Sequence, residues 1–225
     1  MTAPLVVALD VNETLSDLTP LRRRLASVGA PGHLLDLWFA STLRDGFALA
    51  AVDAYAPFAE VGTGVLRAML ARDSAVEADP REAAAHVMAG FAQLEVHKDV
   101  PAGLRRLVDG GVRVVTLTNG SAEQTDGLLR RAGVADLVEH QLSVDDVRRW
   151  KPAPEPYLHA ADVCGVRPEE VALVAVHPWD VDGARRAGLQ AGYLARHGGQ
   201  FPGFFLQPTV RAGTLSEVAG ALLAL

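Results

Sequence analysis

Asp10 ends the apolar run Leu5–Leu9, and Val11, Asn12, Glu13 and Thr14 follow it directly. A continuous apolar run that stops at an acid reads as a buried parallel strand delivering a carboxylate at its carboxyl end, the edge where open α/β sheets place ligands. A carboxylate there can serve as a nucleophile, provided a fixed positive charge keeps it ionised. Three later segments offer partners for such chemistry. Thr118-Asn119-Gly120-Ser121 leaves a second apolar run, Lys151-Pro152 precedes a helical stretch, and His177-Pro178-Trp179-Asp180 leaves a third run. An isolated Asp after a strand is more often a polar turn than a catalyst. Four polar segments converging on one edge of a parallel sheet shift the reading towards a site. Ser121 followed by Gln124 is a capping-box pattern, so the helix beginning there turns its N–H groups towards the same edge.

The elements that must position these groups follow from periodicity. Strands are expected at Leu5–Leu9, Val112–Leu117, Val138–Leu142, Val171–Val176 and, last, Gly192–Ala195. Helices are expected over Leu104–Val108, Ser121–Arg131, Glu155–Cys164, Val181–Ala187 and Leu215–Leu223, with a loop over Gly198–Pro208. Alternation of this kind implies parallel βαβ units and an α/β fold. Between Leu18 and about Glu95 the pattern differs: Leu25, Leu34, Trp38, Leu66, Met69 and Phe91 stand among apolar residues recurring at spacings of three and four, without a strand. Roughly 80 residues of helix are far more than an ordinary crossover needs, so a helical cap inserted after the first strand is the economical explanation. The expected division is a core of residues 1–15 and 96–225 and a cap of residues 16–95. The site would lie between them, where an apolar lid can exclude water.

Composition narrows the partners. The 225 residues are 49% hydrophobic, enough to bury a substantial core, and 27 acidic against 21 basic residues give a net charge of −6 without a long block of either sign. No nucleic-acid footprint or polybasic membrane anchor is expected. Cys164 is the only cysteine, which excludes an intrachain disulfide and suits a reducing cytoplasm. The first basic side chain is Arg22 and no apolar stretch reaches the length of a membrane span, so a cytoplasmic protein is expected.

In their order and spacing, Asp10, Thr14, Thr118-Asn119-Gly120-Ser121, Leu142-Ser143-Val144-Asp145, Lys151-Pro152, Tyr157 and Trp179-Asp180 resemble the motifs of the haloacid dehalogenase superfamily, most closely its L-2-haloacid dehalogenase branch. The resemblance covers nearly the whole chain. It implies a Rossmann-like core, a cap of four or five helices, commonly a homodimer, and a small 2-haloacid as substrate. Asp10 would displace halide with inversion, and water would then hydrolyse the aspartyl ester. Lys151 would hold Asp10 ionised, with Asp180 orienting the lysine and Thr14 holding the carboxylate. Val11, Asn12, Thr118, the helix N-terminus after Ser121, Asn119, Tyr157, Phe39 and Trp179 are the candidates to grip substrate and halide. Tyr157, Phe39 and Trp179 suit core packing as well.

The same residues discriminate within the superfamily. Its phosphatases typically carry a second Asp two positions after the nucleophile and an acid five positions before the residue matching Asp180, to serve as general acid and to help hold Mg²⁺. Asn12 and Ala175 stand at those positions, and a hard cation needs several oxygen ligands. A reaction without metal or other cofactor is therefore expected, and a phosphatase or a non-catalytic anion-binding protein is the alternative. Two departures from the common branch pattern stand out. Phe39 replaces the Arg that usually receives the halide, so the leaving ion would meet an aromatic edge. His177 and Glu13 replace a small polar residue and Gly, and as a dyad they could activate the hydrolytic water, the alternative being a strand-end histidine and a solvated turn acid.

Overall fold

The computed structural model describes residues 2–73, 76–196 and 198–225. Strand β1 (Val6–Leu9) is wholly buried and lies at the centre of a six-stranded parallel sheet of order β3-β2-β1-β4-β5-β6. The others are β2 (Arg113–Thr118), β3 (His140–Ser143), β4 (Val171–Ala175), β5 (Gln190–Leu194) and β6 (Val210–Ala212). Val6 pairs with Arg113 on one side and Val171 on the other, and Leu9 with Thr116 and Val174. From β1 the chain builds outwards first through β2 and β3, then through β4, β5 and β6. The carboxyl end of β1 is therefore the topological switch point, where a crevice opens in a sheet of this kind.

The period of two along β1 divides the interior. Val6 and Ala8 pack with α7 (Pro154–Cys164) and α8 (Pro178–Arg186) on one face, in a layer that includes Tyr157, Cys164 and Val181. Val7 and Leu9 face α5 (Val100–Asp109), α6 (Ala122–Arg131) and α9 (Leu215–Leu223), through Leu104, Leu128 and Leu215. A strand buried on both faces needs an apolar residue at every position, as Val-Val-Ala-Leu supplies.

Between β1 and β2 stand α1 (Leu21–Ser27), α2 (Leu34–Ala51), α3 (Phe58–Leu70) and α4 (Pro80–Met88), with a 3₁₀ turn at Ala89–Gln93. The start of α4 is specified locally: Pro80 takes the first helical position and Asp79 accepts from the Arg81 and Glu82 N–H groups. Trp38, Phe58 and Phe91 pack edge to face at centroid distances of 5.8–6.3 Å and join these helices to one another. Leu15 and Val96 bracket the insertion, since Ser16 bridges to Val96 and the His97 N–H donates to the Leu15 carbonyl.

Two expectations need correction. The sheet does not end at Gly192–Ala195, because β6 adds a sixth strand. It has only three residues, none fully buried, so it carries no apolar run to read. Ser121 caps α6 by accepting from the Gln124 N–H as a single bond, without the reciprocal bond of a capping box. Among the described residues no helix is long and apolar enough to cross a membrane.

Candidate active site

Asp10 leaves β1 with its side chain 6% exposed and both carboxylate oxygens engaged. Thr14, one turn further on, donates to Oδ2 at 2.6 Å, and its hydroxyl in turn accepts from the Val176 N–H after β4. Oδ1 accepts from Lys151 Nζ at 2.9 Å. Lys151 is completely buried, and its other two hydrogens go to Asp180 Oδ2 at 2.7 Å and the Leu117 carbonyl at 2.8 Å. The lysine main chain is pinned as well, its N–H donating to Asn119 Oδ1 at 2.9 Å. Asp180 sits in the first turn of α8, and its second oxygen accepts from the Tyr157 hydroxyl at 2.6 Å. Three helix or strand ends and one loop thus converge on a single ammonium.

The electrostatics follow from burial and neighbours. Burial alone would raise the Asp10 carboxyl, but Lys151, then His177, and the Thr14 hydrogen bond outweigh it and hold the group below its ordinary value. Asp180 goes the other way: burial, reinforced by the Asp10 charge, pushes it up against the pull of Lys151. Burial disfavours the Lys151 ammonium, yet Asp10 and Asp180 together raise it. The Tyr157 hydroxyl, buried beside Asp180, lies well above its usual range and stays a donor. Of the two carboxylates, Asp10 is the one whose charged form its neighbours favour more, and a single buried cation neutralises part of the pair. The same cation occupies the space between the two acids. Among the described residues no group of three or more His, Cys, Asp or Glu side chains is arranged to hold a metal ion.

Two further features lie among the residues that follow β1 and β2. A cavity of about 20 Å³, room for one small molecule the size of water, lies between Val11, Asn12, Thr118 and Ser121 and the insertion residues Phe91 and Leu94. The Thr118 hydroxyl accepts from the Gly120 N–H, which leaves its hydrogen to donate. Beside it the Asn119 Nδ2 group is buried without an acceptor in the protein. Such an orphan donor costs about 1–3 kcal/mol unless a bound group satisfies it.

His177 caps α8, with Nε2 3.1 Å from the Asn12 carbonyl and 3.7 Å from both Asp10 Oδ2 and Glu13 Oε2. Glu13 reaches it through a left-handed backbone, φ 62°. The dyad logic expects the acid on the far ring nitrogen. Instead, one nitrogen is ringed by three acceptors, an arrangement that suits an N–H at that position. The ring stacks on Trp179 at 5.2 Å, lies 5.9 Å from Phe39, and Trp179 meets Phe47 of α2 edge-on at 4.9 Å. Phe39 therefore lies against the histidine ring. Arg44, the nearest arginine in sequence, is exposed and paired with Asp45.

Sequence reasoning missed the groups that brace the loop after Asp10. Arg196, just past β5, donates to the Thr14 carbonyl at 2.8 Å and to Asp99 at 2.6 Å, and His97 Nε2 stands 3.1 Å from the Glu13 carbonyl. Neither lies near a motif, so only the fold brings them in. It missed Trp150 too, whose indole donates to the Ala56 carbonyl and stacks on Phe58 at 5.9 Å. Its place directly before Lys151 was the available signal.

A carboxylate at the switch point of a parallel sheet, bound to a buried lysine, stands where open α/β enzymes place their reacting groups. The chain matches the model of the haloacid dehalogenase-like hydrolases over residues 6–188 and belongs to that family. It is 34% identical over 120 residues to haloacetate dehalogenase H-2 of Moraxella sp. (strain B), a match covering 51% of this chain and 54%, about half, of that protein. It is 29% identical over 191 residues to (S)-2-haloacid dehalogenase 4A of Burkholderia cepacia, covering 84% of this chain and 82% of the relative. Among solved structures, a dehalogenase with an intermediate complex is similar at a TM-score of 0.88 and 25% identity, over 97% of this chain and 96% of that one.

Proposed function

We propose that this protein hydrolyses short L-2-haloacids to 2-hydroxy acids through an ester on Asp10. The observation that carries the reading is the Lys151 ammonium, buried between Asp10 and Asp180 with all three hydrogens engaged. It supplies the positive charge that keeps the nucleophile ionised beside an anionic substrate, so the reaction uses no metal or other cofactor. The substrate carboxylate sits against Val11, Asn12, Thr118 and the α6 N-terminus, where N–H groups and the helix dipole favour an anion. An Asp10 oxygen attacks the halogen-bearing carbon as the carbon–halogen bond breaks. The halide leaves towards the orphan Asn119 amide and the Phe39 ring.

In the second stage a water oxygen attacks the ester carbonyl carbon, and His177 takes the proton that the water loses. The Cγ–O bond to the substrate then breaks, the imidazolium protonates the departing alkoxide, and Asp10 regenerates as a carboxylate by releasing one proton. For this step the ring takes the tautomer with its hydrogen on Nδ1, leaving Nε2 to accept, and the Asn12 carbonyl and Glu13 around Nε2 stabilise the new N–H. Glu13 thus acts by charge at the reacting nitrogen. Tyr157 and Asp180 act through Lys151, and Trp179 and Phe39 wall the site. We further propose a cytoplasmic homodimer in which residues 16–95 form a cap on the core of residues 1–15 and 96–225.

The test is chloride release from each enantiomer of 2-chloropropionate with excess chelator. L-selective release that survives chelation, with an acyl adduct on Asp10 trapped by acid quench, is the expected result. Activity on phosphate esters restored by Mg²⁺, with no chloride from either enantiomer, would replace this reading by that of a phosphatase.

A further inference from the structure

The second stage needs water to reach an ester on a carboxylate whose side chain is only 6% exposed. A half-open cleft of about 330 Å³, large enough for several waters, lies on the flank of the nucleophile loop. Its inner wall is His177 and Glu13, and its outer wall is made by Thr19, Arg22 of α1 and Asp36 of α2. The small cavity assigned to the substrate carboxylate shares only Ser16 with this cleft. Val11 and Asn12 line the former and Glu13 and Asp17 the latter, so the two draw on different residues of one loop.

The charges sort what each opening admits. The cleft carries the carboxylates of Glu13, Asp17 and Asp36 against one guanidinium, Arg22, and that guanidinium is already bound to Asp36 at 2.7 Å. Such a surface repels a 2-haloacid anion and a halide, while neutral water passes and a released proton finds acceptors. We infer that this cleft is the port by which hydrolytic water reaches the Asp10 ester and the proton leaves, distinct from the path of the two anions. The inference rests on the proposed two-stage hydrolysis. One water enters per turnover and one proton departs, which balances the conversion of a haloacid anion to a hydroxyacid anion, a halide and a proton.

Narrowing the cleft from its exposed rim tests this without touching the reacting groups. Thr19→Trp, on the exposed outer wall, is compared with Thr19→Ala, using L-2-chloropropionate in rapid-quench and steady-state runs. The tryptophan variant should give a normal first burst of chloride, steady turnover lowered about tenfold, and ester accumulating on Asp10 by intact mass, while the alanine variant behaves as the parent. Unchanged burst and turnover in Thr19→Trp would overturn the port. So would a slowed burst with a raised KM, which would make the cleft the substrate entrance. Parent protein that releases no chloride from any 2-haloacid would remove the hydrolysis itself, a failure recognisable before any variant is compared.

Discussion

Lys151 Nζ donates to Asp10 Oδ1 at 2.9 Å from a fully buried position, so the proposed nucleophile and its counter-charge form one rigid unit. With Asp180 on a second hydrogen and the Leu117 carbonyl on the third, the ammonium cannot swing away without stranding a buried carboxylate. Stability and chemistry are therefore linked at this lysine.

Lys151→Met keeps the volume and removes the charge, leaving two carboxylates buried without a cation. Stability should fall by about 3–5 kcal/mol in urea unfolding, and halide release should disappear. Adding Asp180→Asn to that variant should recover part of the stability and none of the activity, because the second uncompensated charge is gone while Asp10 still lacks its partner. Equal destabilisation in the single and double variants would mean that the ion cluster does not govern folding.

His177→Ala should separate the two stages. About one chloride per active site is expected, followed by a stall with a protein heavier by the acyl fragment, since the displacement needs no base. Glu13→Gln should keep turning over, slowed about tenfold, because it loses only the charge that favours imidazolium. Rapid steady turnover of His177→Ala with no adduct in the mass spectrum would assign water activation to another group.

Asn119→Asp preserves the acceptor for the Lys151 N–H and exchanges the orphan Nδ2 for an oxygen. An anion would then face the departing halide, so the chloride burst should slow about a hundredfold, and the added buried charge should also lower the melting temperature. A burst at the parent rate would show that the halide leaves elsewhere.

The pH dependence has a defined sign. Lys151, then His177 and Thr14, hold the Asp10 carboxyl below its ordinary 3.8 despite burial. Its charge, and the folding free energy of its ion pair, persist above 3.8 and are lost only as pH falls through the lower folded value. Lys151 is raised above 10.5, so its contribution is complete below that value and lost only as pH climbs beyond it. Asp180, raised chiefly by burial, opposes this: its ionised form costs stability above 3.8, and that cost vanishes in acid. The first-burst rate should therefore be flat from about pH 5 to 9 in stopped-flow measurements. A decline already between pH 7 and 5, about where unperturbed histidine titrates, would mean that a group other than Asp10 limits the displacement.

The sequence by itself determined the frame. Val-Val-Ala-Leu before Asp10 reads as a strand buried on both faces, and Ser121 after β2 is a residue that caps a helix, so these strand ends and their polar groups were legible. The helical spacing between Leu18 and Glu95 marked the insertion for the same local reason. The tertiary structure decided what the insertion contributes and how the site is held. Trp150 stacks on Phe58 and lies so close to Gly46 that a Cβ there would stand 2.2 Å from its ring, a contact between segments a hundred positions apart. Arg196 reaches the nucleophile loop from beyond β5, and Glu13 meets His177 at the same nitrogen that faces Asp10. Local propensity reports which backbone a residue prefers, whereas side-chain direction across a packed seam depends on every element in between. That is why the polar groups at the strand ends could be read from the sequence, and why the shared nitrogen of His177 and the brace at Arg196 emerged only once the chain was folded.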